Sequence, residues 1–117
     1  MPFLNKKKVK IFFETYGECG PWVTLINGYS RPSKDFRAFA SFLREKNFRV
    51  LLFDNRGAGN TEYESLISLD DIADDLKSLF DHLKISKSNI IGFSLGSVVA
   101  RVFSHKNLNY IKKKYLF

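Results

Sequence analysis

The sequence predicts an α/β fold, a mostly parallel sheet with helices on both of its faces. Three observations support this prediction. Short apolar runs of strand length recur along the chain, amphipathic segments of helical period lie between them, and turn-forming residues separate the two. Strands that alternate with helices need crossover connections, which join parallel strands. Because 117 residues is a typical length for one domain, we assign residues 1–117 to a single domain.

The first half of the chain contains three predicted strands. Residues Val9–Tyr16 are rich in β-branched and aromatic side chains and precede Gly17, which favours a strand that ends in a turn. Residues Trp22–Ile26 and Arg49–Phe53 are mostly apolar runs. Such runs are typical of strands that are buried on both faces of a parallel sheet.

A helix is expected between the second and third of these strands. Its apolar residues lie three and four positions apart, which stacks them on one face: Phe36, Phe39, Ala40 and Leu43. We expect Ser33 to cap the start of this helix and Asn47 to end it.

Helix and strand alternate more clearly in the second half. Ser68 and Asp71 have the spacing of a capping box, which predicts the start of a helix. Its apolar stripe consists of Leu69, Ile72, Ala73, Leu76, Leu79, Phe80 and Leu83. We expect the acidic residues Asp70, Asp71, Asp74 and Asp75 to form its solvated face. A strand at 89–93, a helix around 98–103 and a strand beginning at 115–117 follow.

The pattern that carries chemistry is G-x-S-x-G, formed by Gly92, Ser94 and Gly96 between an apolar strand and an apolar helix. A nucleophilic hydroxyl must stand clear of the sheet at a sharp, strained strand-to-helix turn, and glycines remove the side chains that would collide there. The following helix directs its positive end and the Leu95 N–H at the site. The alternative is a glycine-rich turn with an incidental serine.

Two further segments extend this pattern, at residues 25–29 and 53–61. We call the turn that contains Gly92, Ser94 and Gly96 the elbow. Together with Asn27-Gly28-Tyr29 and the Asp54-to-Gly59 turn, it resembles in order and spacing the α/β-hydrolase family, in its single-domain branch of esterases, lactonases and peptidases. The resemblance covers nearly the whole chain. It departs from the family at Asn27, where this branch often has His.

The resemblance implies roles residue by residue. Ser94 matches the nucleophile, and the backbone N–H groups of Leu95 and Tyr29 match the two donors of an oxyanion hole. One more segment matches a loop that is usually structural in the family. Its matching residues are Asp54, Arg56, Gly57 and Gly59. A serine nucleophile implies attack on an ester, lactone, thioester or amide through an acyl-enzyme. The implied substrate is a small acyl compound, and the sequence does not identify it.

The rest of a catalytic triad is missing from this sequence. The family's chain order is Ser, then Asp or Glu, then His. After Ser94 the sequence has no Asp or Glu, and its only later His is His105. His105 lies roughly 16 Å along a helix from the elbow. His82 lies roughly 20 Å away, at the other end of the nucleophile strand. We expect both to be ordinary surface or helix-end residues.

The resemblance therefore implies that residues 1–117 form the N-terminal part of the fold, truncated before the acid, the His and the lid. We expect the chain to be inactive or severely impaired by itself. A natural truncation, a disrupted reading frame and a partial sequence are all compatible with this. The alternative function is that of a non-catalytic interaction protein that uses its open sheet edge, either to self-associate or to pair with another chain.

Composition excludes several other classes. The single Cys19 cannot form an internal disulfide, so we expect a cytoplasmic protein. One Cys and two His far apart give no metal-ligand spacing, and no dinucleotide or Walker A motif occurs, so we expect no cofactor. No apolar stretch is long enough to span a membrane. The net charge of +7 includes lysine runs near both ends, which we interpret as solvated surface and not as a nucleic-acid site.

Overall fold

The structure is a computed structural model that describes residues 3–6, 9–28, 31–55, 61–63 and 68–117. Its strands are β1 (Phe3–Lys6), β2 (Val9–Tyr16), β3 (Trp22–Ile26), β4 (Arg49–Phe53), β5 (Glu62–Tyr63), β6 (Ser88–Gly92) and β7 (Ile111–Leu116). Its helices are α1 (Arg37–Glu45), α2 (Leu69–Leu83) and α3 (Leu95–Lys106), with short 3₁₀ turns at Ser33–Phe36 and Leu108–Tyr110.

The strands form one sheet in the order β1-β2-β4-β3-β6-β7, and β5 also pairs with β2. Strand β3 runs parallel to both β4 and β6, and β6 runs parallel to β7. Strand β2 pairs antiparallel with β4, β1 and β5. The predicted α/β class, a mostly parallel sheet with helices, is therefore confirmed. Strands β1 and β5 were not predicted, because segments of four and two residues are too short for a strand pattern to be recognised.

Helix α2 starts and packs as its sequence predicts. Ser68 Oγ accepts a hydrogen bond of 3.0 Å from the Asp71 N–H. The apolar stripe is buried at Ile72, Ala73, Leu76, Leu79 and Phe80, where it meets Val99, Ala100 and Phe103 of α3. The prediction of a solvated acidic face is wrong for Asp75, which is only 2% exposed. Asp75 is three residues after Ile72 and four before Leu79, so it lies on the stripe itself.

Helix α1 covers the other face of the sheet but begins differently from the prediction. Ser33 is not its cap: a 3₁₀ turn begins at Ser33, with Pro32 in the cap position and no side-chain cap bond. Ser33 is instead the first residue of the turn, and its N–H donates to Asp54 Oδ1, so a carboxylate from the end of β4 supplies the acceptor that a capping side chain would have given. Ala40 is fully buried, whereas Phe39 is 37% exposed and lies at the margin of the predicted apolar face. The helix ends at Glu45, shortly before Asn47.

Candidate active site

The turns that follow β3, β4 and β6 meet at one end of the sheet, as their positions in the sequence predict. Asn55 Nδ2, just after β4, donates a hydrogen bond of 3.2 Å to the Asn27 carbonyl oxygen, just after β3. A Cβ built on Gly28 would lie 3.5 Å from Ser94 Cβ and 3.9 Å from Ser94 Oγ. The serine hydroxyl therefore stands beside the β3 turn, at the carboxyl ends of the parallel strands.

Ser94 has a strained backbone at the turn between β6 and α3. Its dihedral angles are φ 54° and ψ −120°, in a region that residues other than glycine rarely adopt. The side chain is exposed, and its hydroxyl has no hydrogen-bond partner in the part of the chain that the structure describes. This conformation presents the hydroxyl to solvent above the sheet, as a nucleophile elbow requires.

Both glycines of the elbow are required by close backbone contacts. A Cβ on Gly92 would lie 2.5 Å from the Gly96 carbonyl oxygen. A Cβ on Gly96 would overlap the Ile26 carbonyl oxygen and lie 2.7 Å from that of Asn27. Because these neighbours are backbone atoms of α3 and of β3 and its turn, they cannot move aside as a flexible side chain would.

One backbone donor at the start of α3 is left free for a ligand. The N–H groups of Ser94, Gly96 and Ser97 donate to the carbonyl oxygens of Phe117, Phe93 and Ser94, at 3.1, 2.8 and 2.9 Å. Within the described ranges, the Leu95 N–H between them has no acceptor. It lies next to Ser94, at the positive end of the helix dipole. This is the geometry that an oxyanion donor needs.

The second expected oxyanion donor, Tyr29, lies outside the described residues, as do Arg56, Gly57 and Gly59. The residues that lead to Tyr29 are well anchored. Asn27 Oδ1 accepts from the Gly28 N–H at 2.8 Å, and Asn27 Nδ2 donates to the Pro32 carbonyl oxygen at 3.0 Å. One amide side chain thus ties together both sides of the loop.

Asp54 anchors the neighbouring turn instead of facing a substrate. It is 2% exposed, and its Oδ1 accepts a hydrogen bond of 2.6 Å from the Ser33 N–H. Thr61 Oγ1 donates to the Asp54 carbonyl oxygen at 2.6 Å and accepts from the Phe12 N–H at 3.0 Å. These bonds tie the end of β4 to β2 and to the 3₁₀ turn that precedes α1, which is a structural role.

An aromatic wall borders the elbow. The Phe93 ring stacks on Phe117 with ring centroids 5.4 Å apart and contacts Phe36 at 5.2 Å. Backbone bonds hold Phe117 in place, because its N–H donates to the Gly92 carbonyl oxygen at 2.8 Å. Phe93, the residue before Ser94, therefore lies between two phenyl rings, and the candidate site has an apolar side.

The two histidines are both exposed and sit away from the elbow. His82 is near the end of α2, and its ring contacts Phe13 with centroids 6.0 Å apart. His105 is in the last turn of α3, whose first residue follows Ser94. No group of three His, Cys, Asp or Glu in the described ranges could hold a metal ion. None of the described helices is long and apolar enough to cross a membrane.

Groups with shifted pKa values belong to surface contacts. Burial raises the pKa of the Tyr16 phenol, and the nearby Glu14 charge adds to the rise. A hydrogen bond from Lys77 lowers the pKa of Asp81, and a bond to Asp81 raises that of Tyr110. Hydrogen bonds to Glu14, Asp81 and Asp70 likewise raise the pKa values of three cations, Arg37, Lys77 and Lys106.

Comparison with known proteins identifies the class. A family model described as the alpha/beta hydrolase fold matches residues 21–115, and the chain belongs to this family. A curated relative, karrikin insensitive 2 receptor IA of Petunia hybrida, is 30% identical over 108 residues, 86% of this chain and 39% of the relative. An sn-1-specific diacylglycerol lipase of Danio rerio is 28% identical over 102 residues, 86% of this chain and 32% of the lipase.

Solved structures show the same fold. The enol-lactonase from Burkholderia xenovorans LB400 is 25% identical, with a TM-score of 0.89 over 97% of this chain and 45% of its own. A carboxylesterase of Nitrososphaera gargenis is 24% identical, with a TM-score of 0.93 over 98% of this chain and 44% of its own. The chain thus spans less than half the length of these relatives.

Proposed function

We propose that this chain carries the nucleophile half of a serine hydrolase site. The observation that carries the proposal is the exposed Ser94 hydroxyl on a strained turn, next to the free N–H of Leu95. Relatives named as a lipase, a lactonase and a carboxylesterase support hydrolysis of an acyl compound. The proposed substrate is a small ester, lactone, thioester or amide.

The proposed chemistry is acyl transfer. Ser94 Oγ forms a bond to the acyl carbon, and the carbonyl oxygen takes up negative charge that the N–H groups of Leu95 and Tyr29 stabilise. The serine hydroxyl gives up its proton to a base as this bond forms. As the bond to the leaving group breaks, the leaving group receives that proton and an acyl-enzyme remains. Attack by water then releases the acid and restores the serine hydroxyl.

The base for this reaction is proposed to come from outside residues 1–117. A general base must lie within about 3 Å of the hydroxyl. Both histidines of the sequence are exposed and lie on other elements, at the ends of α2 and α3. In this proposal residues 1–117 are the N-terminal part of the hydrolase domain. We therefore propose that the chain has little turnover of its own.

Labelling with a fluorophosphonate tests this proposal. We expect slow labelling at Ser94, about 10²- to 10⁴-fold slower than in a complete serine hydrolase, because the contribution of a general base is missing. Added imidazole supplies a base and should speed up the labelling. The Ser94→Ala variant should lose it.

Ser86→Ala is the matched control, because Ser86 is also an exposed serine but lies before β6, at the other end of that strand. It should label at the rate of the unaltered chain. Labelling that survives in Ser94→Ala would refute Ser94 as the nucleophile. Fast labelling of Ser94 without imidazole would refute the proposal that the base is missing.

A second candidate function is favoured by the edge strand β7. It pairs with β6 on one side and has no strand on its other side among the described residues, and Leu108, Tyr115 and Phe117 near it are 72%, 47% and 71% exposed. Another chain could add a strand there. Antiparallel pairing of two copies would align Lys112–114 with each other. Self-association through this edge should therefore strengthen with salt in sedimentation velocity, and a salt-independent monomer would contradict it.

A further inference from the structure

The amino ends of β3, β4, β6 and β7 surround a cavity of about 400 Å³, at the opposite end of the sheet from Ser94. Strand β6 separates the two, and five residues of strand span roughly 15 Å. Four cationic side chains line the cavity, and no carboxylate does: Arg49, Lys84, Lys87 and Lys112. The volume is in the range of small-ligand sites.

No carboxylate of the described residues neutralises these four cations. Within the described ranges none of them forms an ion pair, whereas Arg31, Arg37, Lys77 and Lys106 elsewhere on the surface each pair with a carboxylate. Four unpaired positive charges around one concave surface repel each other and create a local positive potential. A multivalent anion would remove this repulsion, because it satisfies several of the cations at once.

Two of the lining residues are fixed in position. Arg49 Nε donates a hydrogen bond of 2.7 Å to the Gly20 carbonyl oxygen, and its guanidinium lies over the Trp22 ring, 4.8 Å from the centroid. The terminal nitrogens of Arg49 have no partner among the described residues, which leaves them for a ligand. Trp22 is the only tryptophan of the chain, so its fluorescence reports on this cavity alone.

We propose that this cationic cavity binds a small ligand with two or more adjacent phosphate groups, such as a diphosphate ester. The guanidinium suits a phosphate because its planar fork can donate two parallel bonds. The lysines and the exposed Ser86 hydroxyl supply further donors around the rim. An extended polyanion is disfavoured, because Asp81 lines the adjoining cavity, which shares Lys84 and Ser86. This site is independent of the proposed hydrolase function.

The test is a titration of the chain with inorganic pyrophosphate at constant ionic strength, followed by Trp22 fluorescence and by calorimetry. We expect saturable binding of one equivalent, at least tenfold tighter than that of sulfate. The Lys87→Gln/Lys112→Gln variant should bind at least tenfold more weakly, because it removes two of the four charges. Both side chains are exposed, so the variant should keep its thermal midpoint.

The control variant is Lys34→Gln/Arg101→Gln, which removes two exposed charges that do not line the cavity. Its affinity for pyrophosphate should stay within about twofold of the unaltered chain. Equal weakening in both variants would overturn the proposal, since binding would then follow net charge. Absence of saturable binding by calorimetry would overturn it as well. A short single-stranded oligonucleotide that displaces pyrophosphate at lower concentration would assign the surface to nucleic acid instead.

Discussion

Glycines lie at the carboxyl ends of β3 and β6, whereas cationic side chains lie at the opposite end of the sheet, near the amino ends of β4, β6 and β7. The first end has Gly28, Gly92 and Gly96, and its free donor is the backbone N–H of Leu95. The second end has four unpaired cations around a cavity. The two ends therefore use different devices for negative charge. Fixed backbone dipoles suit a charge that develops during a reaction, and charged side chains suit an anion that arrives already charged.

The largest expected effect is at the carboxyl end, in Gly96→Ala. The added Cβ would overlap the Ile26 carbonyl oxygen, so β3 and α3 could not approach as they do. We expect a loss of about 3 kcal/mol or more in the free energy of unfolding, measured by urea denaturation. Gly28→Ala is the control, since its Cβ meets only ordinary contacts, the nearest at 3.5 Å, and should cost less than about 1 kcal/mol. Equal losses in the two variants would contradict the close approach of these backbones.

A smaller effect on stability should reveal the backbone strain at Ser94. At the φ of 54° of Ser94, glycine avoids the strain that a Cβ causes and alanine keeps it, so Ser94→Gly should be more stable than Ser94→Ala by about 1 kcal/mol. The sign should reverse at Ser97 inside α3, where glycine is worse than alanine by about 1 kcal/mol. Thermal denaturation of the four variants measures both differences. The same sign at both positions would rule out a strained elbow.

The smallest effect on stability is expected at the surface, near the amino ends of the parallel strands, where Tyr110 contacts Asp81. The Tyr110 hydroxyl donates a hydrogen bond of 2.8 Å to Asp81 Oδ1, so ionisation of the phenol would break this bond and place two negative charges together. The bond to Asp81 therefore raises the pKa of Tyr110 above its usual value. The contribution of this hydrogen bond to the free energy of unfolding is fully present below the pKa of the phenol in the unfolded chain, about 10. It is lost as the pH rises through the higher pKa of the phenol in the folded chain.

Two substitutions should shift this pKa in opposite directions. Asp81→Asn should lower the pKa of Tyr110, because the carboxylate is removed. Lys77→Gln should raise it, because the charge of Lys77 favours the phenolate. NMR titration of the Tyr110 ring carbons measures both shifts. Shifts in the same direction would show that the hydrogen bond to Asp81 does not control the phenol.

Sequence and structure agree best where the pattern is long or the motif is local. The fifteen residues of α2 repeat one apolar stripe, and Ser68 caps them as its spacing predicts. Agreement is weaker before α1, where Ser33 lies inside a 3₁₀ turn and the acceptor for its N–H is Asp54, a residue 21 positions away. No local pattern shows such a contact. The predicted exposure of Asp75 is also wrong because of tertiary contacts. The packing of α2 in the core buries this residue, although aspartate is usually exposed.

The sequence alone determined the order of the three helices and the five longer strands, the serine between two glycines and the family resemblance, because each depends on short-range spacing. Tertiary structure decided which residues meet. It placed the Asn27 amide across the loop after β3, left the Leu95 N–H without an acceptor and built the Phe93 wall from rings far apart in the chain. It also gathered four cations from three separate segments around one cavity. These contacts arise only when crossover connections bring distant strands side by side, so local spacing does not encode them.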